Sequence, residues 1–209
     1  MPVVITADII ESRKHSLETS QLNEKLGFVE SPDTQMPFTL LRGDEVQGVL
    51  KGFATFGYIL RKLRFVCLPL HLRIGIGIGG IEKSGNTQNL TNTWQLTGEA
   101  FYYARDALDE TKKEKKTVTV IRTRDGLADT IAQSVLTLLD ILREEWTLKQ
   151  WKAVMAYEEQ KTYQRAAEVL NIPFQNVHKH CERAHWKEYR TAETALESYL
   201  SEVHRKSLE

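Results

Sequence analysis

The stretch Val3-Val4-Ile5-Thr6-Ala7-Asp8-Ile9 is apolar and β-branched until it meets an acid. It reads as a buried strand with a carboxylate at its C-terminal end. A second stretch complements it. Phe38-Thr39-Leu40-Leu41-Arg42-Gly43-Asp44-Glu45-Val46-Gln47-Gly48-Val49-Leu50 sets two apolar runs about a Gly-Asp turn, the pattern of a tight hairpin with Asp44 at its tip. Two carboxylates at one sheet edge can hold Mg²⁺ against a nucleoside triphosphate, because Mg²⁺ takes hard oxygen ligands and shares them with phosphates. Taken singly, each acid has a plainer reading: Asp8 caps a loop and Asp44 is a turn residue.

Working outward, the chain alternates helical and strand-like patterns. A polar stretch, Glu11-Ser12-Arg13-Lys14-His15, precedes an amphipathic helix near Thr19 to Phe28. Ser31-Pro32-Asp33 marks a loop. Ala54 to Phe65 reads as a helix with Phe56, Ile59, Leu60 and Leu63 on one face. Leu70 to Ile81 reads as a strand in which glycines alternate with isoleucines, Ile74-Gly75-Ile76-Gly77-Ile78-Gly79-Gly80. It is no dinucleotide fingerprint, because the polar loop Ser84 to Thr93 follows where a helix N-terminus would have to hold a pyrophosphate. The alternation instead keeps one sheet face bare, so that a helix, a ligand or another backbone can approach. Gly98 to Lys112 reads as a helix running into Lys112-Lys113-Glu114-Lys115-Lys116, and Thr117 to Arg122 as a strand. Strand, helix, hairpin, helix, strand, helix, strand predicts an α+β domain over residues 1–123, a ferredoxin-like or palm-type sheet with helices laid against it.

The composition excludes several classes. Across 209 residues the formal net charge is +0, so any basic surface is local. The two cysteines are no disulfide framework and fit a reducing compartment. The N-terminus lacks the basic start of a signal peptide, and no run is long and apolar enough for a bilayer, which predicts a cytoplasmic protein with no membrane partner. Leu208-Glu209 reads as an expression scar.

The pattern changes at Asp125. Leu127, Ile131, Val135, Leu138, Leu142 and Trp146 recur every three or four positions, predicting a connecting amphipathic helix over 124–146. Its narrow seam can pack on its own domain or pair with a copy of itself, and a homodimer is expected. Residues 147–207 contain no glycine and read as an all-α domain. Within it, Thr162 to Val177 has helix-turn-helix spacing: small Ala167 for close helix crossing, Asn171 for a left-handed turn, and Val177 to lock the second helix. Pro173 suits the first turn of that helix. A DNA partner would meet Gln175, Asn176, His178 and Lys179 in the major groove, with Lys149, Lys152, Arg165 and Arg183 near phosphates. The plainer reading is a three-helix packing unit, and Glu182 and Glu188 leave room for a protein partner instead. His178, Cys181 and His185 share a helical face, but Cys181 sits one turn after Val177, which argues for core rather than zinc.

Four motifs together carry a family resemblance. Asp8-Ile9 after a strand, Gly43-Asp44-Glu45 in a hairpin, Arg73-Ile74-Gly75-Ile76-Gly77 on a strand and Gly98-Glu99-Ala100-Phe101-Tyr102-Tyr103-Ala104-Arg105 opening a helix occur in the order of the class III nucleotidyl cyclase and GGDEF palm superfamily. The runs Ile5 to Ile9, Leu41 to Gly48 and Gly98 to Arg105 resemble the SatD family more closely. The resemblance implies that Asp8 and Asp44, with the backbone at Ile9, hold Mg²⁺ with a nucleotide, and that Arg42, Glu45 and Arg105 contact that nucleotide. The chain also departs from the cyclase pattern. Tyr102 and Asp106 stand where a catalytic Asn and Arg are usual, and Thr39, Leu40 and Leu41 stand where a base-selecting Lys is expected. Loss of those groups would remove much of the charge stabilisation of phosphoryl transfer. The expected function is therefore a ligand-responsive DNA-binding regulator with a nucleotide-binding sensor. The alternatives are a nucleotidyl cyclase or related nucleotidyltransferase using Asp8 and Asp44, or an adaptor that binds only protein.

Overall fold

Val3, Val4, Ile5 and Ala7 are wholly buried because their strand, β1 (Val3–Ile9), is covered on both faces. The computed structural model describes residues 1–12, 19–41, 43–83, 93, 96–113 and 118–206. After β1 come α1 (Thr19–Leu26), β2 (Thr34–Leu40), β3 (Glu45–Leu50), α2 (Phe56–Cys67) and β4 (Leu72–Ile78). Two short strands, β5 (Glu82–Lys83) and β6 (Leu96–Thr97), precede α3 (Glu99–Lys113) and β7 (Thr119–Arg122). The five-stranded sheet has the order β2-β3-β1-β4-β7. Only β7 is parallel to its neighbour, as its connection to β4 through a helix allows.

Alternation along β1 and β4 sorts the two faces. Val3, Ile5, Ala7 and Ile9 join Ile74, Ile76 and Ile78 in one cluster with Leu22 and Leu26 of α1 and Ile59, Leu60 and Leu63 of α2. Val4 joins Val49, Ala100 and Ala104 on the opposite face. The glycine-alternating strand is thus bare for a helix. A Cβ at Gly75 would stand 2.8 Å from Leu108 Cα, and one at Gly77 would lie 3.0 Å from the Ala100 carbonyl carbon, with other α3 backbone atoms nearer in both cases. The strand is shorter than its sequence pattern, ending at Ile78. Of the loop read over Ser84 to Thr93, only Thr93 lies within the described residues.

The remaining helices are α4 (Gly126–Glu144), α5 (Leu148–Gln160), α6 (Tyr163–Leu170), α7 (Phe174–Arg183) and α8 (Trp186–Lys206). The chain forms two compact units, residues 1–136 with 196–209, and residues 137–195. The division between these units falls within α4 and within α8. Leu196 and Leu200 of α8, with Ala132 and Leu136 of α4, belong to the core of the first unit. There Glu197 Oε1 accepts from the amide of Gly57 at 2.9 Å, and His204 stacks on Phe53 with centroids 5.5 Å apart.

The sequence seam on α4 is corrected by its burial. Ala128, Ala132, Leu136 and Leu139 are the buried positions, while Leu127, Ile131 and Leu138 are exposed. Two small alanines make an inner face that a search for large apolar residues passes over. Trp146 leaves the seam altogether. It lies beyond α4 in the second unit, 4.9 Å from Trp151 and 5.0 Å from Tyr189 between centroids, and its indole N–H donates to the Ala184 carbonyl at 2.9 Å.

In that second unit the caps follow local rules. Thr147 and Gln150 form a capping box at the start of α5. Asn171 ends α6 in the left-handed region, φ 52°, where its short polar side chain tolerates what larger residues resist. Pro173 caps α7 from outside its first turn. Val177, Cys181 and Ala184 are then buried, one turn apart, as the helical period requires.

Candidate functional sites

The antiparallel registers place Asp8 opposite Glu45 on β3 and opposite Arg73 on β4. At this end of the sheet the amide of Ile9 donates to the Asp44 carbonyl at 3.4 Å, and Ser12 Oγ donates to Asp44 Oδ2. The strand end and the hairpin tip therefore meet, as the sequence motifs suggested. Helix α3 crosses above them because the bare glycine face admits it. Arg105 and Lys112 are seven residues apart and so share one face of α3. Arg105 bonds Glu45, and Lys112 Nζ lies 3.5 Å from Asp8 Oδ2.

The Asp8 carboxyl titrates above its ordinary value. Burial is the main cause, Lys112 opposes it, and repulsion from Asp44 adds to it. Arg105 is held more firmly protonated, first by its bond to Glu45, with Asp109 and Asp8 contributing. Among the described residues no three His, Cys, Asp or Glu side chains gather as a metal cage. Two carboxylates nonetheless suit Mg²⁺, which is ordinarily bound by one or two carboxylates together with phosphate oxygens. A divalent ion would also relieve the repulsion between Asp8 and Asp44. Lys112 supplies the counter-charge at Asp8. In the sequence Lys112 belongs to a solvated basic run, and its seven-residue spacing from Arg105 is the signal that joins it to the site. Arg42 lies outside the described residues.

The second candidate surface is α7. Gln175, Asn176, His178, Lys179 and Arg183 are all exposed, opposite the buried Val177, Cys181 and Ala184. His178 is held edge-on to Tyr163 with centroids 4.9 Å apart, and its Nδ1 lies 3.3 Å from Glu182. His180, which sequence reasoning missed, titrates below its ordinary value, because burial and then the charges of Lys149, Arg183 and Lys179 disfavour its protonation. Lys149 of α5 and Lys179 and Arg183 of α7 thus lie near one another about His180, a local gathering of cations in a chain of zero net charge. Lys152 of α5 and Arg165 of α6 are also exposed.

A model of the SatD family matches residues 3–198. The chain belongs to the SatD family. No curated protein matches it. The family match takes in both surfaces of this SatD chain, the acid pair at the sheet end and the outer face of α7. It does not rescue the zinc pattern. Cys181 is 2% exposed with its thiol pushed up to about 12 by burial, and His185 lies in the turn after α7 at φ 50°. No described helix of the chain is long and apolar enough to cross a membrane.

Proposed function

We propose that this SatD-family chain is a ligand-responsive transcription regulator in the cytoplasm. In this reading α6 and α7 are a helix-turn-helix, and the sheet unit is a palm-like sensor for a nucleotide bound with Mg²⁺. The observation that carries the DNA assignment is the outer face of α7. It sets Gln175 and Asn176, which can pair with base edges, in the first turn, while Lys179 and Arg183 extend the basic patch toward phosphates. In the sensor, Asp8 and Asp44 would hold the ion with help from the Ile9 backbone. Arg105, Glu45 and Arg42 would meet the nucleotide. Tyr102 and Asp106, in the places of the usual catalytic Asn and Arg, favour binding over turnover.

Fluorescence anisotropy against a library of duplex DNA, at several salt concentrations and with and without Mg²⁺ nucleotides, tests this reading. Lys179→Ala with Arg183→Ala should weaken binding and lower the slope of log K against log salt by about one for each phosphate no longer neutralised. Gln175→Ala or Asn176→Ala should relax sequence preference instead. A protein that retains no duplex under any nucleotide condition refutes the regulator assignment. Release of a cyclised or transferred nucleotide from a triphosphate would favour the enzyme.

A further inference from the structure

We infer that Lys112 is a built-in counter-ion of the acid pair. It holds Asp8 until a divalent ion arrives with a polyphosphate, then transfers to a phosphate oxygen. The sheet-end site thereby prefers a metal–polyphosphate complex to the bare ion. Lys112 can act so only if Asp8 and Asp44 hold an ion, as proposed above. The two halves of the Lys112–Asp8 pair differ in freedom. Asp8 lies on a central strand, in register with Glu45 on β3 and Arg73 on β4, and its side chain is 17% exposed. Lys112 reaches it from the last turn of α3 with a side chain 41% exposed. An ammonium on a flexible four-carbon stem can swing, whereas a carboxylate anchored in the sheet cannot follow it. Their separation of 3.5 Å exceeds the roughly 2.7–2.9 Å of a tight charge-assisted bond. The ammonium is therefore the partner that yields.

The neighbouring cations are less suited to the role. Arg105, on the same face of α3, is engaged by Glu45 in an ion pair of its own. Arg73 acts on Asp8 through its charge and more weakly than Lys112 does. A bare divalent ion must take Asp8 from Lys112, and it leaves that ammonium beside a second cation. A polyphosphate that arrives with the ion brings oxygens to accept the ammonium, and lysine binds phosphate well as a point charge. Lys112 then gains one partner as it gives up another. Displacing it thus opposes the bare ion and not the complex.

Water-proton relaxation enhancement on the whole chain reads Mn²⁺ held by the protein, and Mn²⁺ takes the same hard oxygen ligands as Mg²⁺. Mn²⁺ alone and Mn²⁺ with inorganic tripolyphosphate are the two probes. Lys112→Met should bind Mn²⁺ alone about threefold more tightly than wild type, and the tripolyphosphate complex about threefold more weakly, the scale of a solvent-screened pair. The ratio of the two affinities should therefore shift about tenfold. A Lys112→Met that binds bare Mn²⁺ no more tightly than wild type, or that keeps the wild-type ratio, overturns the inference. Asp8→Asn separates that result from failure of the metal site. If Asp8→Asn binds Mn²⁺ as the wild type does, or if no form binds it, the site itself is refuted and the role of Lys112 falls with it. If Lys112→Met fails to fold, the ¹³C-methyl signal of reductively methylated wild-type Lys112 decides, assigned by its absence in Lys112→Arg. A signal that Mg²⁺ leaves unmoved overturns the inference.

Discussion

Adding one methyl group at Gly77 should loosen α3 from the sheet, and with it the bonds that α3 makes to Asp8 and Glu45. A Cβ at Gly77 would lie closer than 3.0 Å to the Ala100 carbonyl oxygen and the Ala104 amide nitrogen, where ordinary contact begins at 3.4 Å. Both neighbours are helix backbone, so no side-chain rotation can relieve the clash. The helix must retreat by on the order of 1 Å, and it takes the wholly buried Ala100, Ala104, Ala107 and Leu108 with it. Overpacking of this kind costs about 1–3 kcal/mol where side chains can adjust. With backbone on both sides of the clash, Gly77→Ala should lose about 3 kcal/mol or more. Against a total stability of about 5–15 kcal/mol that is a large share, and it corresponds to a melting point lower by roughly 6–12 °C for a chain of this size. Gly75→Ala should behave alike. The double variant should cost less than both together, because the first retreat makes room for the second methyl. Gly126→Ala is the control. Nothing lies within 4 Å of its added Cβ, so it should be neutral or more stable by up to about 1 kcal/mol. Urea unfolding followed by far-ultraviolet circular dichroism, with hydrogen exchange at β4 amides, reads all four variants. Gly77→Ala within about 1 kcal/mol of wild type would refute the reasoning.

Lys112→Met removes a cation that holds the Asp8 carboxyl down, so the Asp8 titration midpoint followed by carboxyl ¹³C NMR should rise further above its ordinary value. Stability should change by less than about 1 kcal/mol, since the pair is solvent-screened; an unmoved midpoint would separate Lys112 from the site. His204 is buried, and burial first, then the N-terminal ammonium, holds its imidazole below the ordinary value, with Asp125 opposing. The unfolded chain therefore binds that proton more readily, so this contribution is intact above about pH 6.5 and stability falls as pH drops below it. His204→Phe, which keeps the ring on Phe53, should lose less stability between pH 7 and 5 than wild type does. Equal losses would place the acid sensitivity elsewhere.

The acid pair was legible because each half is a local pattern: an apolar run ending in Asp8, and a Gly-Asp turn between apolar runs. The exposed face of α7 was equally legible, since once Val177 and Cys181 are inward the 3.6-residue period turns Gln175, Asn176, His178 and Lys179 outward. What the acids touch was not legible. Glu45 and Arg105 are 60 residues apart, and Lys112 reaches Asp8 only because α3 lies on the glycine face. The patch around His180 joins Lys149 on α5 to Lys179 and Arg183 on α7, a juxtaposition that no single helix pattern contains.

Sequence alone determined the main strands and helices, the left-handed turn at Asn171, and that β4 keeps one face bare. These are decided within a few residues by backbone sterics, hydrogen-bonding side chains and periodicity. Only the tertiary structure decided that α3 rather than a ligand covers the bare face, and that the strands order as β2-β3-β1-β4-β7. It alone turned the alanines of α4 inward and left Leu127, Ile131, Leu138 and Ile141 outside. The reason is that burial is shared between segments distant in the chain. Close approach to a neighbour rewards small residues such as Ala128 and Ala132 as much as large ones, and a periodicity that weighs side chains by their own apolarity does not register the neighbour.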